Sequence, residues 1–528
     1  MSEPKANTQR MEKIVSLCKR RGFIFQSSEI YGGLNGCWDY GPLGVELKRN
    51  LKDYWWRVMV RERDDIVGMD GSILMNRAVW KASGHEGTFS DLMRQCAVSG
   101  KRVRADQVEQ QSGIEYSFKG VKSPRDETSD ETSCDFPFVI LAKQSEHPDS
   151  VRKRAREFYA KLAYKEMAPD EIKSLALIGE QTRKIENSVD YHPETGGVLG
   201  PARPFNLMFK THAGATEDES TLTYLRPETA QAIFVQFKNV LETSRKKLPF
   251  GIAQIGKAFR NEINPRNYTF RSREFEQMEL EYFCKPEQGP GLLKYWLEER
   301  LRFYENIGLP REKLHVHDIP AEERAFYSKG TYDIEFEFPF GIQELEGVAY
   351  RTDYDLTQHI QHSGKPLDYF DEETKEKFVP HVIEPSAGVD RTVLALICTA
   401  FDEETVTDEK GKAETRTVLR FHPRIAPVKV GVFPLLKNKE DLVAKAREVA
   451  ALLKPHMMTF YDESGAIGRR YRRQDEAGTP FGVTIDFETL GEKGDELKDT
   501  VTLRHRDSMQ QERVKISELL GILLPKVQ

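Results

Sequence analysis

Much of what the chain does not contain bears on its class. No apolar run reaches the roughly 18 residues a membrane-spanning helix needs, so no membrane partner is expected. The opening MSEPKANTQRMEK has no apolar stretch of the kind a secretory leader carries. Six cysteines, at 18, 37, 96, 134, 284 and 398, are scattered over 528 residues with no CxxC pair. That is too sparse for a disulfide framework and gives no local zinc-finger signature. His85 or His192 could join Cys96 and Cys134 around a metal, but isolated thiols in a reducing compartment are the default. No structural zinc is therefore expected, and the expected compartment is the cytoplasm.

Several catalytic signatures are missing as well. There is no GxSxG elbow, no HExxH and no Cys–His context, so no activated protein nucleophile stands out. Neither GxxxxGK[ST] nor GxGxxG occurs. A nucleotide user without such loops must hold phosphates with arginines and helix N-termini. Charge of one sign is not in excess: 78 Lys and Arg face 84 Asp and Glu, a net of -6. That argues against a DNA-coating protein. It leaves room for a local basic face that docks one RNA. With 39% hydrophobic and 31% charged residues the chain folds rather than stays disordered. At roughly 150 residues per domain its length predicts three or four domains.

Residues 12–30 open with an amphipathic helix pattern and the strand-like GFIFQSS. YGGLNGCWDYGPLG (31–44) is too rich in glycine for a regular element and reads as a shaped loop. From there Leu43, Leu47, Leu51, Trp55 and Val58 form a helical stripe widened by Tyr54. Such a stripe is either core or a subunit interface. Residues 90–200 are polar and interrupted, with the charged run KGVKSPRDETSDETS (119–133). Helical patterns lie near 146–163 and 168–187, and RKRAREFYAKLAYKE is basic along one side; a solvated face is the default there and RNA contact the alternative. This region reads as an inserted subdomain. Residues 201–426 are dense in strand signals, closing on EETVTDEKGKAETRT (403–417), a hairpin or linker. After Pro427 strands and helices alternate: VKVGVFPL, a helix with Leu442, Ala446, Val449 and Leu453 on one face, then FGVTIDFETL and VTLRHRD. The expected domains are 1–89, 90–200, 201–426 and 427–528.

The chemistry-bearing residues cluster in the third region. PFGIAQIGKAFRNEI and EFEQMELEYF alternate as two strands joined by a loop of about ten residues, hence antiparallel. Phe275, Gln277, Glu279 and Glu281 share one face of the second strand; Met278, Leu280 and Tyr282 share the other. Arg260, Arg271 and Arg273 are guanidinium forks suited to phosphate. Phe275 offers a flat face to a purine, and Glu279 can neutralise an ammonium group. Phosphate, ring and ammonium together describe ATP beside an amino acid; a salt-bridged sheet edge is the plainer alternative. In VIEPSAGVDRTVLALI (382–397), Arg391 opens an apolar helix, where the dipole disfavours a cation unless a phosphate binds there too. Glu228, in LRPETAQAIFVQFK (225–238), sits near a helix start and reads as a cap. Glu344, Glu346, Arg351, Asp353 and Asp355 are crowded, which calls for metal, ammonium or arginine partners.

These motifs resemble those of the class II aminoacyl-tRNA synthetases, and among them the glycyl-tRNA synthetases of the homodimeric type. IGKAFRNEINPRNYTFRSREFEQMELEYF (255–283) looks like motif 2 and VIEPSAGVDR (382–391) like motif 3. SSEIYGGLNGCWDYGPLG, VWKASGH, VRADQ, RPFNLMF and LRPETAQAIFVQFK follow the family's order across nearly the whole chain. The marks of the other synthetase class, HIGH and KMSKS, are absent.

The resemblance implies an α+β fold: a class II antiparallel sheet flanked by helices, an inserted subdomain and a C-terminal α/β anticodon-binding domain. It implies ATP-dependent ligation of glycine to tRNA(Gly) through glycyl-adenylate, with Mg²⁺, in a homodimer. Catalytic positions carried over are Arg260, Glu262 and Arg391. For ATP the resemblance implies Arg260, Asn261 and Glu262, then Phe270, Arg271, Ser272, Arg273, Glu274 and Phe275. Glu344 and Leu345, and Gly388, Val389, Asp390 and Arg391, complete the nucleotide set, with Mg²⁺ near Glu344. For glycine it implies Arg104, Glu228, Phe275, Glu276, Gln277, Met278 and Glu279, with Glu384, Pro385, Ser386, Ala387 and Gly388. The arginines at 469, 470, 472 and 473 would form the basic patch for tRNA. Two departures stand out: only Cys96 remains where the family often carries a CxxC-like segment, and Arg77 in ILMNRAVW lies where motif 1 would have a proline. The alternatives are a class II enzyme for another amino acid and a non-catalytic tRNA-binding paralogue.

Overall fold

The computed structural model of the chain describes residues 3–122, 133–143, 145–163, 167–325, 327–407 and 413–528. Most of the charged run at 119–133 and the tip of the 403–417 segment lie outside them. The chain divides into two compact units, one of residues 1–83, 208–260 and 265–528, the other of 84–207 with 261–264.

The first unit is built on a seven-stranded sheet. Its strands are β1 (Ile66–Gly68), β2 (Phe250–Phe259), β3 (Glu274–Cys284), β4 (Leu314–Asp318), β5 (Gly330–Phe338), β6 (Gly341–Thr352) and β7 (His381–Gly388), in the order β4-β5-β6-β7-β3-β2-β1. All pairs are antiparallel except β1 with β2. The strand after the long N-terminal helix is thus Ile66–Gly68, at the sheet edge. ILMNRAVW instead forms a short helix, Arg77–Ala82, capped by Asn76 Oδ1, which accepts from the Ala78 amide.

Helices α1 (Glu3–Arg21), α2 (Pro42–Trp56), α3 (Ala230–Ser244), α4 (Gly289–Asn306), α5 (Tyr354–Ser363) and α6 (Val389–Ala400) flank that sheet. Pro42 stands at the first turn of α2, where its missing N–H costs nothing. Leu47, Leu51, Tyr54 and Trp55 of α2 are buried in one core with Trp296 of α4 and Val393 of α6. The aromatic stripe is therefore core, and those side chains are not available to a second subunit.

Strand alternation decides what β3 gives to each face. Met278, Leu280, Tyr282 and Cys284 enter this larger core. Phe283 enters a second core with Phe234 and Phe237 of α3 and Leu356 of α5. Gln277, Glu279 and Glu281 belong to that second face, and all three are buried. So one side of β3 is plain hydrophobic core. The other places carboxylates indoors, where they need partners.

The C-terminal part of this unit has strands β8 (Val430–Pro434), β9 (Thr459–Tyr461), β10 (Phe481–Ile485), β11 (Thr500–His505) and β12 (Gln511–Lys515), in the order β9-β8-β10-β11-β12, with helices α7 (Glu440–Leu453), α8 (Ile467–Ala477) and α9 (Leu519–Val527). Leu442, Ala446, Val449 and Leu453 of α7 are completely buried in its own core. The antiparallel hairpin Phe401–Thr407 with Ala413–Leu419 is tied to α8 by Arg416, whose Nε donates to Asp475 at 2.9 Å. Among the described residues no helix is long and apolar enough to cross a membrane.

In the second unit a four-stranded sheet (Gln111–Lys122, Ser133–Ala142, Ala176–Ile178, Gln181–Ser188) packs against the helix Pro148–Ala163 through Val151, Ala155 and Tyr159. The helix expected over 168–187 is a single turn and more, Pro169–Ser174, followed by two strands. Gly179, at φ +68°, turns the chain there, and the edge of the sheet recruits QTRKIENS by backbone hydrogen bonding, which no side-chain periodicity announces. The basic side of helix 148–163 is paired internally: Arg152 with Asp149 and Glu180, and Arg154 with Glu146. That favours the solvated-face reading over RNA contact.

Phe237 is fully buried, with its ring 4.4 Å from that of Phe283. Phe237→Ala should cost about 3–5 kcal/mol and lower the midpoint of denaturant unfolding, followed by tryptophan fluorescence. Leu452→Ala, at an exposed position, should leave that midpoint nearly unchanged.

Candidate active site

Two groups of side chains make up the candidate site. The first is acidic. Antiparallel pairing sets Glu279 of β3 opposite Ser386 of β7, and Glu384 of β7 opposite Ala349 of β6. Ser386 Oγ donates to Glu279 Oε1 at 2.8 Å, and Thr229 Oγ1 donates to the other oxygen of Glu279. The Thr229 amide donates to Gln277 Oε1 at 3.1 Å, which fixes the start of α3 to β3. Arg351, at the end of β6, donates from Nη1 to Glu384 (2.8 Å) and from Nε and Nη2 to Asp355 of α5 (2.8 and 2.9 Å). Its guanidinium also lies 4.0 Å from the centre of the Tyr327 ring. Gln231 of α3 donates to both Glu228 and Asp355. His359 lies 2.8 Å from the Gln231 side-chain oxygen; burial depresses its pKa to about 4, so the neutral ring donates there and adds no positive charge.

Electrostatics follow from this inventory. Glu384 and Asp355 share one guanidinium, and Glu279 and Glu228 are close enough to act on Glu384. Burial, together with the neighbouring carboxylates, raises the pKa of Glu384 to about 8 against the pull of Arg351. Glu279 is raised by burial and by Glu228, against its hydrogen bonds from Thr229 and Ser386. Such a site gains most from one more cation with hydrogen-bond donors.

The second group is cationic. Arg391, in the first turn of α6, forms an ion pair with Glu344 at 3.2 Å, and its guanidinium sits 4.6 Å from the Phe270 ring centre. Phe270 is in turn braced edge-on by Phe338 and Phe340. Arg391 holds the Glu344 carboxyl below its usual range, helped by Arg260 and Arg271. Three arginines therefore converge on one half-exposed carboxylate. Arg260 donates from Nε to Pro227 O at 3.1 Å and lies 5.4 Å from the Phe275 ring centre. Burial and the charges of Glu344 and Glu335 raise Asp333 nearby to about 6.

Several expected side chains have other partners or belong to the other unit. Glu276 and Met278 face the opposite side of β3: Glu276 pairs with Lys48 and Lys52 of α2, and Met278 is core. Asp390 is held by the Tyr40 hydroxyl (2.6 Å), Lys48 (2.8 Å) and the Glu276 amide (2.7 Å), so its carboxylate is committed to structure. The Arg273 guanidinium turns to Asn35 O, and Glu274 pairs with Lys257. Leu345, Ala387 and Val389 are buried core residues; Ser272 and Pro385 are buried, and the Ser272 hydroxyl donates to Thr269 O. Gly388 is the N-cap of α6. Glu228 does not cap α3; the N-cap is Thr229, and Glu228 instead accepts from Gln231. Arg104, Asn261 and Glu262 belong to the second unit, where Arg104 pairs with Asp91 and Asp106 and also feels Glu262.

Three of the crowded acids of 344–355 resolve onto arginines, Glu344 onto Arg391, Glu346 onto the buried Arg300 at 2.6 Å and Asp355 onto Arg351, while Asp353 accepts from the Thr357 hydroxyl. Arg351, Asp355, Thr229 and Gln231 were not among the expected site residues. Charge crowding signalled Arg351 and Asp355; the uncharged Thr229 and Gln231 gave no such signal. Of the four C-terminal arginines, Arg470 is buried and donates to the Gly465 and Pro434 carbonyls, and Arg473 pairs with Asp462. Arg472 lies 3.7 Å from Glu414, and Arg469 is exposed.

Known proteins resemble the chain over nearly its whole length. A family described as "tRNA synthetase class II core domain (G, H, P, S and T)" matches residues 209–399, and an "Anticodon binding domain" matches 429–526. The expected class II sheet with a C-terminal anticodon-binding domain is thus present. The Glycine--tRNA ligase of Rhodopirellula baltica is 46% identical, covering 97% of this chain and 98% of its own. That of Treponema denticola is 46% identical over 97% and 96%, and that of Thermus thermophilus 46% over 97% and 98%. The chain therefore belongs to the glycine–tRNA ligase family of class II aminoacyl-tRNA synthetases.

Proposed function

We propose that the chain joins glycine to tRNA(Gly) in two steps, through glycyl-adenylate. The observation that carries this reading is a carboxylate pocket and a group of three arginines, linked where Arg260 donates to the carbonyl of Pro227, next to Glu228. An ammonium suits the first and a polyphosphate the second. In the first step a glycine carboxylate oxygen attacks the α-phosphorus of ATP. A new C–O–P linkage forms, the bond to the bridging oxygen breaks, and diphosphate leaves. No protein nucleophile is required. Arg260 would stabilise charge growing at the α-phosphate and Arg391 the departing end, with Phe275 against adenine. Glu228, Glu279, Glu384 and Ser386 would hold the ammonium. In the second step the terminal ribose hydroxyl of tRNA attacks the glycyl carbonyl and AMP leaves.

Mg²⁺ would sit near Glu344, where Asp333 and Glu335 add the hard oxygen donors that such an ion prefers. When bound it neutralises phosphate charge. This reading includes a homodimer, on the strength of the homodimeric synthetases the motifs resemble, and a cytoplasmic reaction, in keeping with isolated thiols.

Glycine has no side chain to grip, so selection must be by exclusion. Glu279 and Ser386 crowd the ammonium, leaving a Cα methyl no room. The direct test is ATP–diphosphate exchange without tRNA, with glycine, alanine, serine, threonine and proline. Exchange with glycine alone is expected; exchange driven by another amino acid would reassign the substrate, and none at all would favour a tRNA-binding paralogue. Arg260→Ala and Arg391→Ala should each lower exchange kcat by about 10²-fold or more. Ser386→Gly should raise alanine activation relative to glycine by roughly tenfold, and an unchanged ratio would remove the steric argument. Arg469→Ala should weaken tRNA binding and flatten its salt dependence by about one phosphate contact, leaving the exchange reaction intact.

A further inference from the structure

One buried acid on the pocket's face of β3 has no role in the mechanism above. Glu281, two residues beyond Glu279 on β3, has no solvent exposure. Neither carboxyl oxygen has a hydrogen-bond partner. One oxygen from each of Glu279, Glu281 and Glu384 lies within 4.8 Å of the others. The charged groups acting on it are Glu279 of β3, Glu384 of β7, Arg351 of β6 and Asp355 of α5. The only cation in that set, Arg351, directs its donors to Asp355 and Glu384. The adjoining strand β2 sets Ile252 opposite Glu281.

An ionised carboxylate enclosed without a cation or donor gives up its charge instead. A neutral carboxyl has one O–H to donate, and the oxygens of Glu279 and Glu384, within 4.8 Å, are the acceptors of this cluster toward which it can turn. We propose that Glu281 is a positioning residue of the amino-acid pocket: it retains a proton and donates it between Glu279 and Glu384, fixing both carboxylates and trimming their repulsion so that the pocket takes a single ammonium. Burial and the charges of Glu384 and Glu279 push its titration far upward, in the same direction as the geometry. The inference rests on the reading of Glu279 and Glu384 as ammonium partners.

The test uses the purified full chain in ATP–diphosphate exchange, with glycine KM, ATP KM and kcat measured between pH 6.5 and 9.5 for wild type, Glu281→Leu and Glu281→Gln. Glu281→Leu, which removes the donor, is expected to raise glycine KM at least tenfold and leave ATP KM within about twofold. Glu281→Gln, whose amide also donates, is expected to restore most of that loss. The wild-type glycine KM should climb at the alkaline end more steeply than that of Glu281→Gln, because only the wild type has a proton to lose at position 281; Glu384 and the substrate's own amine titrate in both. Two outcomes overturn the proposal: Glu281→Gln impaired for glycine as severely as Glu281→Leu while ATP KM holds, or superimposable pH profiles for wild type and Glu281→Gln. Should Glu281→Leu not fold, the comparison of wild type with Glu281→Gln decides alone. Failure of the glycine reading itself would appear differently, as absent glycine-dependent exchange in the wild type.

Discussion

The buried guanidinium of Arg351 is the contact on which the acidic half of the site rests. It sits at the end of a strand, 2% exposed, between a helix carboxylate and a sheet carboxylate. Removing one partner of such a pair leaves an uncompensated charge, at a cost of about 3–5 kcal/mol. Here the consequence would spread. Asp355 also accepts from Gln231 of α3, Gln231 reaches Glu228, and Thr229 at the head of the same helix bonds to Glu279. Three strands and two helices are thus held in register by polar contacts, where a hydrophobic core would leave more freedom. The arrangement also explains how so many carboxylates stay within one small volume.

The cationic half obeys a different logic. Arg391 stands in the first turn of a helix, where its own charge opposes the dipole. Glu344 offsets part of that, and Phe270 lends a ring face, itself braced by two phenylalanines. An anionic ligand arriving here exchanges one carboxylate partner for several phosphate oxygens. Beneath this helix start, Asp390 faces the other way, where Lys48 and the Glu276 amide hold it. Adjacent residues in one short motif therefore divide between chemistry and scaffolding.

That division shows how far the residues alone could be read. EFEQMELEYF already alternates, so the pairing of β2 with β3 and the sharing of a face by Gln277, Glu279 and Glu281 were legible. The α7 stripe and the C-terminal order of strands and helices were legible for the same reason: hydrophobic period reports which side is buried. The helix assigned over 168–187 failed because an edge strand is recruited by backbone groups of its neighbour, not by its own side chains. Motif resemblance carried Glu276 and Asp390 into the site as contiguous stretches, whereas pleating sends Glu276 to the opposite face of β3 and the first turn of α6 aims Asp390 at Tyr40 and Lys48.

Local patterning and composition were enough for the class of fold, the two strands, the arginine-bearing helix start and the presence of acids needing partners. Which acid meets which arginine was beyond them. Glu346 and Glu344, two residues apart, end on Arg300 and Arg391, and Arg351 reaches across to Glu384, 33 positions away. The Arg470 guanidinium, one of a basic-looking run, closes on backbone carbonyls indoors. Spacing along the chain sets the face on which a side chain emerges; desolvation and the register of distant strands set what it must pair with, and those exist only once the sheet has assembled.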